Sequence, residues 1–225
     1  MDAIDHLRMQ LRLEGKVVVG ENSLRQVEVV PDEEMPFMVI ASLSTRELVA
    51  YYDEALSREL RDELDRQVRS LDFPNISPLV DILRAQDPNL EIGYFKTFTF
   101  PERYIDTIFD EVLTLHKTDP KVKAFGFDGF AEQVHAIEQD GRIVSACVSA
   151  RDNESCGEAW IYTDENHRHR GFARKVVGAW AKGLLSAGRV PFYSHKVENL
   201  ASAELAKRLG LVPAFEEIII SRMNV

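Results

Sequence analysis

The sequence contains few cysteines, no long apolar run and fewer basic than acidic residues. Its thiols are Cys147 and Cys156, whereas a disulfide framework needs more cysteines and a structural zinc site usually takes four closely spaced Cys or His ligands. No apolar run approaches the ~18 residues that cross a bilayer. The 27 Lys and Arg residues against 37 Asp and Glu residues give a formal net charge of -10, which would repel a phosphate backbone. We therefore expect no metal site, no membrane partner and no nucleic-acid partner.

The first residues lack the features of an export signal. Residues 1–6 are acidic and mixed, without the basic flank and the apolar stretch of a secretory signal. This absence predicts a cytoplasmic protein in which both thiols are reduced. With 225 residues, 45% of them hydrophobic and 28% charged, the chain has the composition of a globular protein that forms one large domain or two small ones.

The first 90 residues indicate a mainly helical region with a small strand pair. Residues 16–19 and 26–30 read as strands on either side of the turn residues 20–23. Residues 44–47 have the sequence of a capping box, and apolar residues four apart follow it, which predicts a helix over 48–68. A second, shorter helix is expected near residues 79–83.

The rest of the chain alternates strands with helices. Residues 92–100 read as a strand, and Pro101 begins a predicted helix in which Tyr104, Ile108, Val112 and Leu115 share a face. From there the pattern predicts strands at 134–139, 142–150, 158–163, 190–195 and 215–221, with helices at about 172–187 and 201–209. This order predicts an α/β fold with a mixed, mostly antiparallel sheet, flanked by helices and preceded by a helical N-terminal extension. No flexible linker separates the two parts, so we expect domains at 1–90 and 91–225 that pack together.

The segment 168–173 lies between a predicted strand and a predicted helix. The N-terminus of a helix presents unpaired N–H groups and the positive end of its dipole, which suits a diphosphate. Gly171 allows close approach of a ligand, and the small Ala173 keeps the first turn clear. Six basic residues gather here in an otherwise acidic chain: His167, Arg168, His169, Arg170, Arg174 and Lys175. Because cations oppose the dipole at this end of a helix, the cluster favours an anionic ligand over a merely solvated charge run.

The spacing Arg168-x-x-Gly171-x-Ala173 resembles the Q/R-x-x-G-x-G/A signature of the Gcn5-related N-acetyltransferases. Its context agrees with that family, because it follows the strand at 160–163 and opens a helix. A second segment, with Asn199 before a helix that ends at Gly210, resembles the family's other cofactor segment. The resemblance extends over about residues 92–221, and residues 1–90 carry no motif of the family.

The resemblance implies an acyl-CoA-dependent acyltransferase. In this family the strand before the signature separates from the next strand, which would let the backbone of Ile161 and Thr163 bond the pantetheine arm of acetyl-CoA. Asn199 and Ser202 would reach the cofactor from the second segment, a role that is compatible with Asn199 as a plain helix N-cap. The diphosphate would bind the backbone amides of Arg168, His169, Arg170, Gly171, Phe172, Ala173 and Arg174.

The resemblance also implies direct attack of a neutral amine on the thioester, which needs a base and an acid. Glu158 resembles the position of a carboxylate base, and the alternative is a solvent-facing charge at the strand end. The Tyr that many members use as the acid is replaced by Ala206. Tyr193 and His195 could substitute for it, or be a packed aromatic and a surface residue. The N–H of Thr163 could stabilise the oxyanion.

Three interpretations follow for the activity. The first is an N-acetyltransferase that acts on a primary amine of a small molecule or a peptide. A homodimer is a possible assembly for such an enzyme. The second is a non-catalytic acyl-CoA-binding regulatory module, which the missing Tyr favours. The third is transfer of a longer acyl chain, which the depth of the pocket beside Ile161 and Tyr193 would decide.

Overall fold

The computed structural model describes residues 2–30 and 35–223. The helices of these residues are α1 (Ala3–Leu13), α2 (Arg58–Val68), α3 (Ser77–Arg84), α4 (Pro120–Phe125), α5 (Phe172–Ser186) and α6 (Leu200–Leu209). The first strands are β1 (Lys16–Val19), β2 (Ser23–Gln26), β3 (Met38–Leu43), β4 (Leu48–Asp53) and β5 (Leu90–Thr99). The remaining strands are β6 (Leu113–His116), β7 (Gln133–Gln139), β8 (Arg142–Asp152), β9 (Cys156–Thr163), β10 (Val190–Lys196) and β11 (Val212–Arg222).

The chain divides into two compact units. Unit 1 comprises the residues before Phe98 and those from Pro213 onward, and unit 2 is the segment Phe98–Val212. The strand order is β1-β2-β4-β3-β11-β5 in unit 1 and β10-β9-β8-β7-β6 in unit 2. The mixed, mostly antiparallel sheet flanked by helices is therefore confirmed, with β2–β4 and β9–β10 as parallel pairs. The expected domain boundary between residues 90 and 91 stays a prediction.

Alternation along β3 distributes the core of unit 1 to both faces of its sheet. Met38 and Ile40 pack with residues of α2 and α3, whereas Val39 and Ala41 pack with residues of α1. Successive side chains of a strand point to opposite faces, so the apolar residues of β3 are buried on both faces of the sheet.

The same alternation builds unit 2. Cys147 on β8 packs with Val176 and Trp180 of α5, and its neighbour Val148 packs with Val122 of α4 on the other face. The indole Nε1–H of Trp180 donates to the hydroxyl of Ser149 at 3.0 Å, so the polar edge of this buried ring is paired. Unit 2 is thus a five-stranded sheet with α5 on one face and α4 on the other.

The N-terminal extension differs from the expectation of a mainly helical region with one strand pair. The predicted helix over 48–68 is in fact β4 followed by α2. Residues 44–47 form the hairpin turn between β3 and β4, where the Leu43 N–H donates to the Glu47 carbonyl at 2.9 Å and Arg46 has a positive φ of 67°. The helix itself begins after Ser57, whose hydroxyl accepts from the Leu60 N–H at 3.2 Å.

Two further predictions were wrong. The predicted strand at 26–30 is replaced by β2, which ends at Gln26. The predicted helix from Pro101 is limited to a short 3-10 turn at Glu102–Tyr104, after which β6 pairs with β7. Tyr104 anchors this segment instead, because its hydroxyl donates to the Leu209 carbonyl at 2.7 Å and its ring stacks on Phe109. Across the described residues, every helix falls short of the length and apolarity that a membrane crossing requires.

Candidate active site

The two parallel strands of unit 2 stay together for only part of their length. β9 and β10 pair from Cys156 with Val190 to Glu158 with Phe192. Beyond these residues β9 continues to Thr163 and β10 to Lys196. The strands therefore separate beyond Glu158, and each leaves one backbone edge without the other as its partner. A gap between two strands is the feature that the sequence resemblance predicts.

A bulge lies beside the point of separation. Ser149 is opposite Ala159 and Arg151 is opposite Glu158, so β8 carries one extra residue, Ala150, at this point. A bulge bends its strand and increases the local twist. We infer that it helps to turn β9 away from β10.

The exposed backbone edge of β9 belongs to the predicted pantetheine residues. The Asp164 N–H donates to the Val144 carbonyl of β8 at 2.9 Å, and the Ser155 carbonyl accepts from Val190 of β10 at 2.9 Å. Because the backbone groups of alternate residues point to the same side of a strand, Ile161 and Thr163 present their N–H and C=O groups away from β8. They therefore line the edge that β10 has left.

The N-terminus of α5 lies just after this strand and has no side-chain cap. Its N-cap is Gly171, with a φ of 80° and no hydrogen bond from a side chain to the first turn. A Cβ built on Gly171 would have no atom within 4 Å, so the space in front of the helix is open. His169 also has a positive φ, 62°. Left-handed residues near a helix start turn successive N–H groups toward one point, which suits an anion.

The predicted diphosphate residues divide into exposed and buried members. The Phe172 ring is buried in the core beneath α5 and anchors the first turn, and Ala173 is half-buried. The Arg168 guanidinium bonds the Thr163 carbonyl at 3.3 Å, and the Arg170 guanidinium bonds the Asn166 carbonyl at 3.2 Å. The remaining members are exposed at the helix start: Arg168, His169, Arg170, Gly171 and Arg174. The Arg168 N–H donates to the Glu165 carbonyl at 3.3 Å, so it is not free for a diphosphate. The positive charges thus lie beside the amides of an uncapped helix start.

Asn199 is the N-cap of α6, one of the two compatible roles that the sequence predicts for it. Its side-chain oxygen accepts from the Ser202 N–H at 3.0 Å. Asn199 is exposed and Ser202 is half-buried. The cap uses the oxygen of the Asn199 amide, so its NH2 group stays available to a ligand.

Glu158 is the last residue of β9 that pairs with β10. It is only 8% exposed, which excludes the interpretation as a solvent-facing strand end. Its Oε2 accepts a hydrogen bond from the Arg151 guanidinium across the bulge. Sequence reasoning missed Arg151, because the pairing of residues 151 and 158 depends on a bulge that has no clear sequence signal.

Tyr193 and His195 lie on the part of β10 that has left β9. The Tyr193 ring is buried in the core with Ala206, and its hydroxyl donates to the Ser202 carbonyl at 3.4 Å. Burial raises the pKa of the Tyr193 phenol to about 12. Ala206, which belongs to the same core cluster, is the α6 position where many family members have a Tyr.

His195 is buried rather than on the surface, with 7% exposure. Its ring stacks on Phe98 at a centroid distance of 5.6 Å, a partner that sequence reasoning missed. The Nδ1 atom lies 2.9 Å from the Lys196 carbonyl and must carry the hydrogen, because a carbonyl only accepts. In the neutral ring Nε2 is then an acceptor, and this buried atom has no partner in the described residues.

The three predicted catalytic residues lie on opposite faces of the sheet. Tyr193 belongs to the core on the α5 face. Glu158 shares its face of β9 with Trp160, which contacts Phe130 on the α4 face. The structure therefore brings Tyr193 and His195 together, and it puts Glu158 across the strand gap from them. Over the residues that the structure describes, no group of three or more His, Cys, Asp or Glu side chains could hold a metal.

Residues 126–216 match the family model of the GNAT acetyltransferases, a stretch that contains every predicted site residue. The resemblance to the Gcn5-related N-acetyltransferases is confirmed. No curated protein matches the chain.

Solved structures agree with the GNAT fold over nearly the whole chain. A GNAT-family acetyltransferase from Colwellia psychrerythraea superposes with a TM-score of 0.51 at 9% identity, over 98% of this chain and 96% of that one. A GCN5-related N-acetyltransferase-like protein from Streptococcus suis superposes with a TM-score of 0.50 at 13% identity, over 98% and 100%. At such identities the likeness concerns the fold alone.

Proposed function

We propose that the chain is an N-acetyltransferase that transfers an acetyl group from acetyl-CoA to a primary amine of a small molecule or a peptide. The observation that carries the proposal is the end of β9–β10 pairing next to the uncapped N-terminus of α5. One feature offers backbone groups to an extended arm, and the other offers N–H groups to a diphosphate. Few other ligands need both in that order.

The residues present fit acetyl-CoA, which would supply the thioester when bound. The amides of residues 169–174 and the exposed guanidinium groups of Arg168 and Arg174 would hold the diphosphate. The backbone of Ile161 and Thr163 would bond the pantetheine arm along the open edge of β9. Asn199 would donate from its amide NH2 group at the second strand.

Glu158 is the proposed base. An ammonium has no lone pair, so a group on the acceptor side must take its proton before attack. Glu158 lies where the strands separate, and Arg151 holds its carboxylate in one orientation. An amine that attacks in the gap would approach it from the α4 face.

Tyr193 is the proposed acid on the opposite face. Because its pKa is raised to about 12 by burial, the phenol keeps its proton at neutral pH and can give it to the departing thiolate. In the complete step the amine nitrogen bonds the thioester carbon and the C–S bond breaks. The ammonium gives its first proton to Glu158 before attack, and the phenol proton goes to sulfur. The nitrogen loses its second proton as the amide forms, and this proton restores the Tyr193 phenol. The N–H of Thr163 would stabilise the oxyanion, and His195 Nε2 would accept a proton from, or relay one to, Tyr193.

A non-catalytic acyl-CoA-binding module is the second candidate. Ala206 favours it, because this buried core residue stands where many family members have a catalytic Tyr. Both candidates require acetyl-CoA binding, and they differ in whether CoA is released.

The deciding experiment measures acetyl-CoA binding by calorimetry and CoA release over a panel of primary amines. We expect micromolar binding and amine-dependent release. Binding without release for any amine would support the module.

The substitution Glu158→Gln tests the assignment of the base. We expect kcat to fall by about 100-fold, the range for a lost general base, with the affinity for acetyl-CoA unchanged. Glu154→Gln, the same change at an exposed position in the turn between β8 and β9, is the matched control. An E158Q enzyme with the kcat of the control would remove Glu158 from the mechanism.

A further inference from the structure

Unit 2 carries an aromatic surface that its core does not require. Trp160 is 51% exposed and Tyr162 is 46% exposed. Two large aromatic rings side by side on a solvated strand face are unusual, because polar residues normally occupy such positions. Trp160 and Tyr162 alternate along β9 with Ile161 and Thr163, so they belong to the α4 face. Together with Phe125 and Phe130, we call them the aromatic wall.

The wall is built as a connected set of rings. Phe130 stacks on Trp160 with centroids 6.0 Å apart and planes at 23°. Phe125 meets Tyr162 edge to face at 5.6 Å. The buried Phe127 joins the two pairs, because it contacts Phe125 at 5.1 Å and Phe130 at 5.6 Å. The two exposed rings are therefore fixed from below, and a ligand would not have to order them.

The wall is continuous with the proposed catalytic carboxylate. Glu158, Trp160 and Tyr162 are alternate residues of one strand, so their side chains share one face at a spacing of two residues. The backbone of Ile161 and Thr163, between them in sequence, lines the gap between the strands. A group that lies on the wall would thus have its reactive end near that gap.

The charge of the surface also selects its occupant. Aromatic faces attract cations, Trp most strongly, and Glu158 adds a carboxylate on the same face, where it also accepts a hydrogen bond from the Arg151 guanidinium. An ammonium joined to an apolar group matches both features, because its charge is held by ring faces and carboxylate while its apolar part covers exposed rings.

We propose that the aromatic wall is the acceptor site and that the acceptor is a small arylalkyl primary amine, bound as its ammonium. This inference rests on the proposed function, since it names the substrate class of the same reaction. The ammonium would lie beside Glu158, which takes its proton, and the aryl group would lie on Trp160, two residues further along the strand.

The test compares 2-phenylethylamine with ethylamine, which has the same reactive end and no ring. We expect kcat/KM with acetyl-CoA to be about tenfold higher for 2-phenylethylamine, as one additional ring contact provides. In Trp160→Ala the ratio should fall to about one, whereas Trp160→Phe, which keeps an aromatic face, should retain most of it. Ile108→Ala, which removes an apolar side chain that is 76% exposed elsewhere in unit 2, is the control and should retain the full ratio.

A second readout needs no variant and no turnover. The chain has two tryptophans, and Trp180 is buried with 2% exposure, so the two indole N–H signals in an NMR spectrum report on one exposed and one buried ring. We expect 2-phenylethylamine to shift the Trp160 signal saturably and to leave the Trp180 signal in place, and ethylamine to shift neither at the same concentration.

The outcomes separate this inference from the proposed function. Equal kcat/KM values for both amines with an unmoved Trp160 signal would overturn the acceptor site while leaving the transferase intact. A saturable Trp160 shift without CoA release from either amine would support the amine site and count against the transferase. An unaltered ratio in Trp160→Ala would also overturn the inference.

Discussion

Two helices of unit 2 follow strands of the same sheet, and they begin in opposite ways. α6 starts at Asn199, whose side chain accepts from the Ser202 N–H at 3.0 Å. α5 starts at Gly171, with no side-chain cap and no acidic residue in its first turn. Every helix N-terminus leaves N–H groups unpaired. The chain satisfies this need internally at α6, and at α5 it leaves the groups open and adds positive charge.

The difference supports the proposal that the start of α5, and not that of α6, binds the diphosphate. A cap such as Asn199 contributes about 1 kcal/mol relative to Ala but only a few tenths relative to Gly, so α5 loses little by starting at Gly171. The exposed Arg174 adds an unfavourable interaction with the dipole, whereas Arg168 is ion-paired with Glu165 at 3.5 Å. These costs are offset when an anion binds, which is why we assign the diphosphate to α5 rather than to α6.

The largest expected effect comes from filling the open space at α5. Gly171→Leu puts a side chain in front of the first turn, so we expect the affinity for acetyl-CoA to fall by at least about 100-fold, comparable to the loss of two charge-assisted hydrogen bonds. Calorimetric titration measures it.

Gly188→Leu is the matched control for that variant. Gly188 follows the other end of α5, also has a positive φ of 72° and also has open space around a built Cβ. Both variants carry the same backbone strain, about 1–2 kcal/mol. Equal losses of affinity in the two would mean that strain alone, and not occupation of the site, explains the effect.

A smaller effect is expected at α6. Asn199→Asp keeps the oxygen that caps the helix and removes the NH2 group that we assign to the cofactor. The thermal midpoint should stay within about 2 °C of the wild-type value, while the dissociation constant for acetyl-CoA rises about threefold. If affinity is unchanged, Asn199 is a cap and nothing more.

The smallest effect is expected at Tyr193, and it concerns the stability of the fold at high pH and not the affinity for acetyl-CoA. The folded-state pKa of about 12 exceeds the usual value of about 10 for an unfolded chain. Stabilisation from the buried neutral phenol is therefore complete below about pH 10 and is lost as the pH rises toward 12. We expect denaturant midpoints to fall more steeply over this range in wild type than in Tyr193→Phe. Parallel curves would show that Tyr193 titrates normally.

The sequence was most informative where local pattern and fold agree. The strands and helices from residue 133 onward alternate as predicted, because each apolar run there is bounded by turn residues such as Asp140 and Gly141. The helix start near Gly171 could be predicted, since glycine spacing is local, and its role as an anion site stays a prediction. The burial of His195 and the pairing of Glu158 with Arg151 could not be predicted from the sequence, because both depend on strand register across unit 2.

The errors in the first half have a physical reason. Leu48 and Tyr52 are four residues apart, a spacing that fits one face of a helix and equally one face of a strand. The Ser of the apparent capping box lies in a hairpin turn, where small polar residues are also favoured. The sequence analysis did not predict α1, although its sequence carries helix signals. The Asp2 side chain caps it by accepting from the Asp5 N–H at 2.9 Å, and Leu7 and Leu11 form its buried face.

An NMR titration of the 15N-labelled protein with CoA, which follows the backbone amides at the two helix starts, tests whether the start of α5 binds the diphosphate. We expect the signals of residues 169–174 to shift most and to saturate together at the calorimetric dissociation constant, while the Ser202 amide, already bonded to Asn199, moves less. Largest shifts at the first turn of α6, with residues 169–174 unmoved, would contradict this proposal.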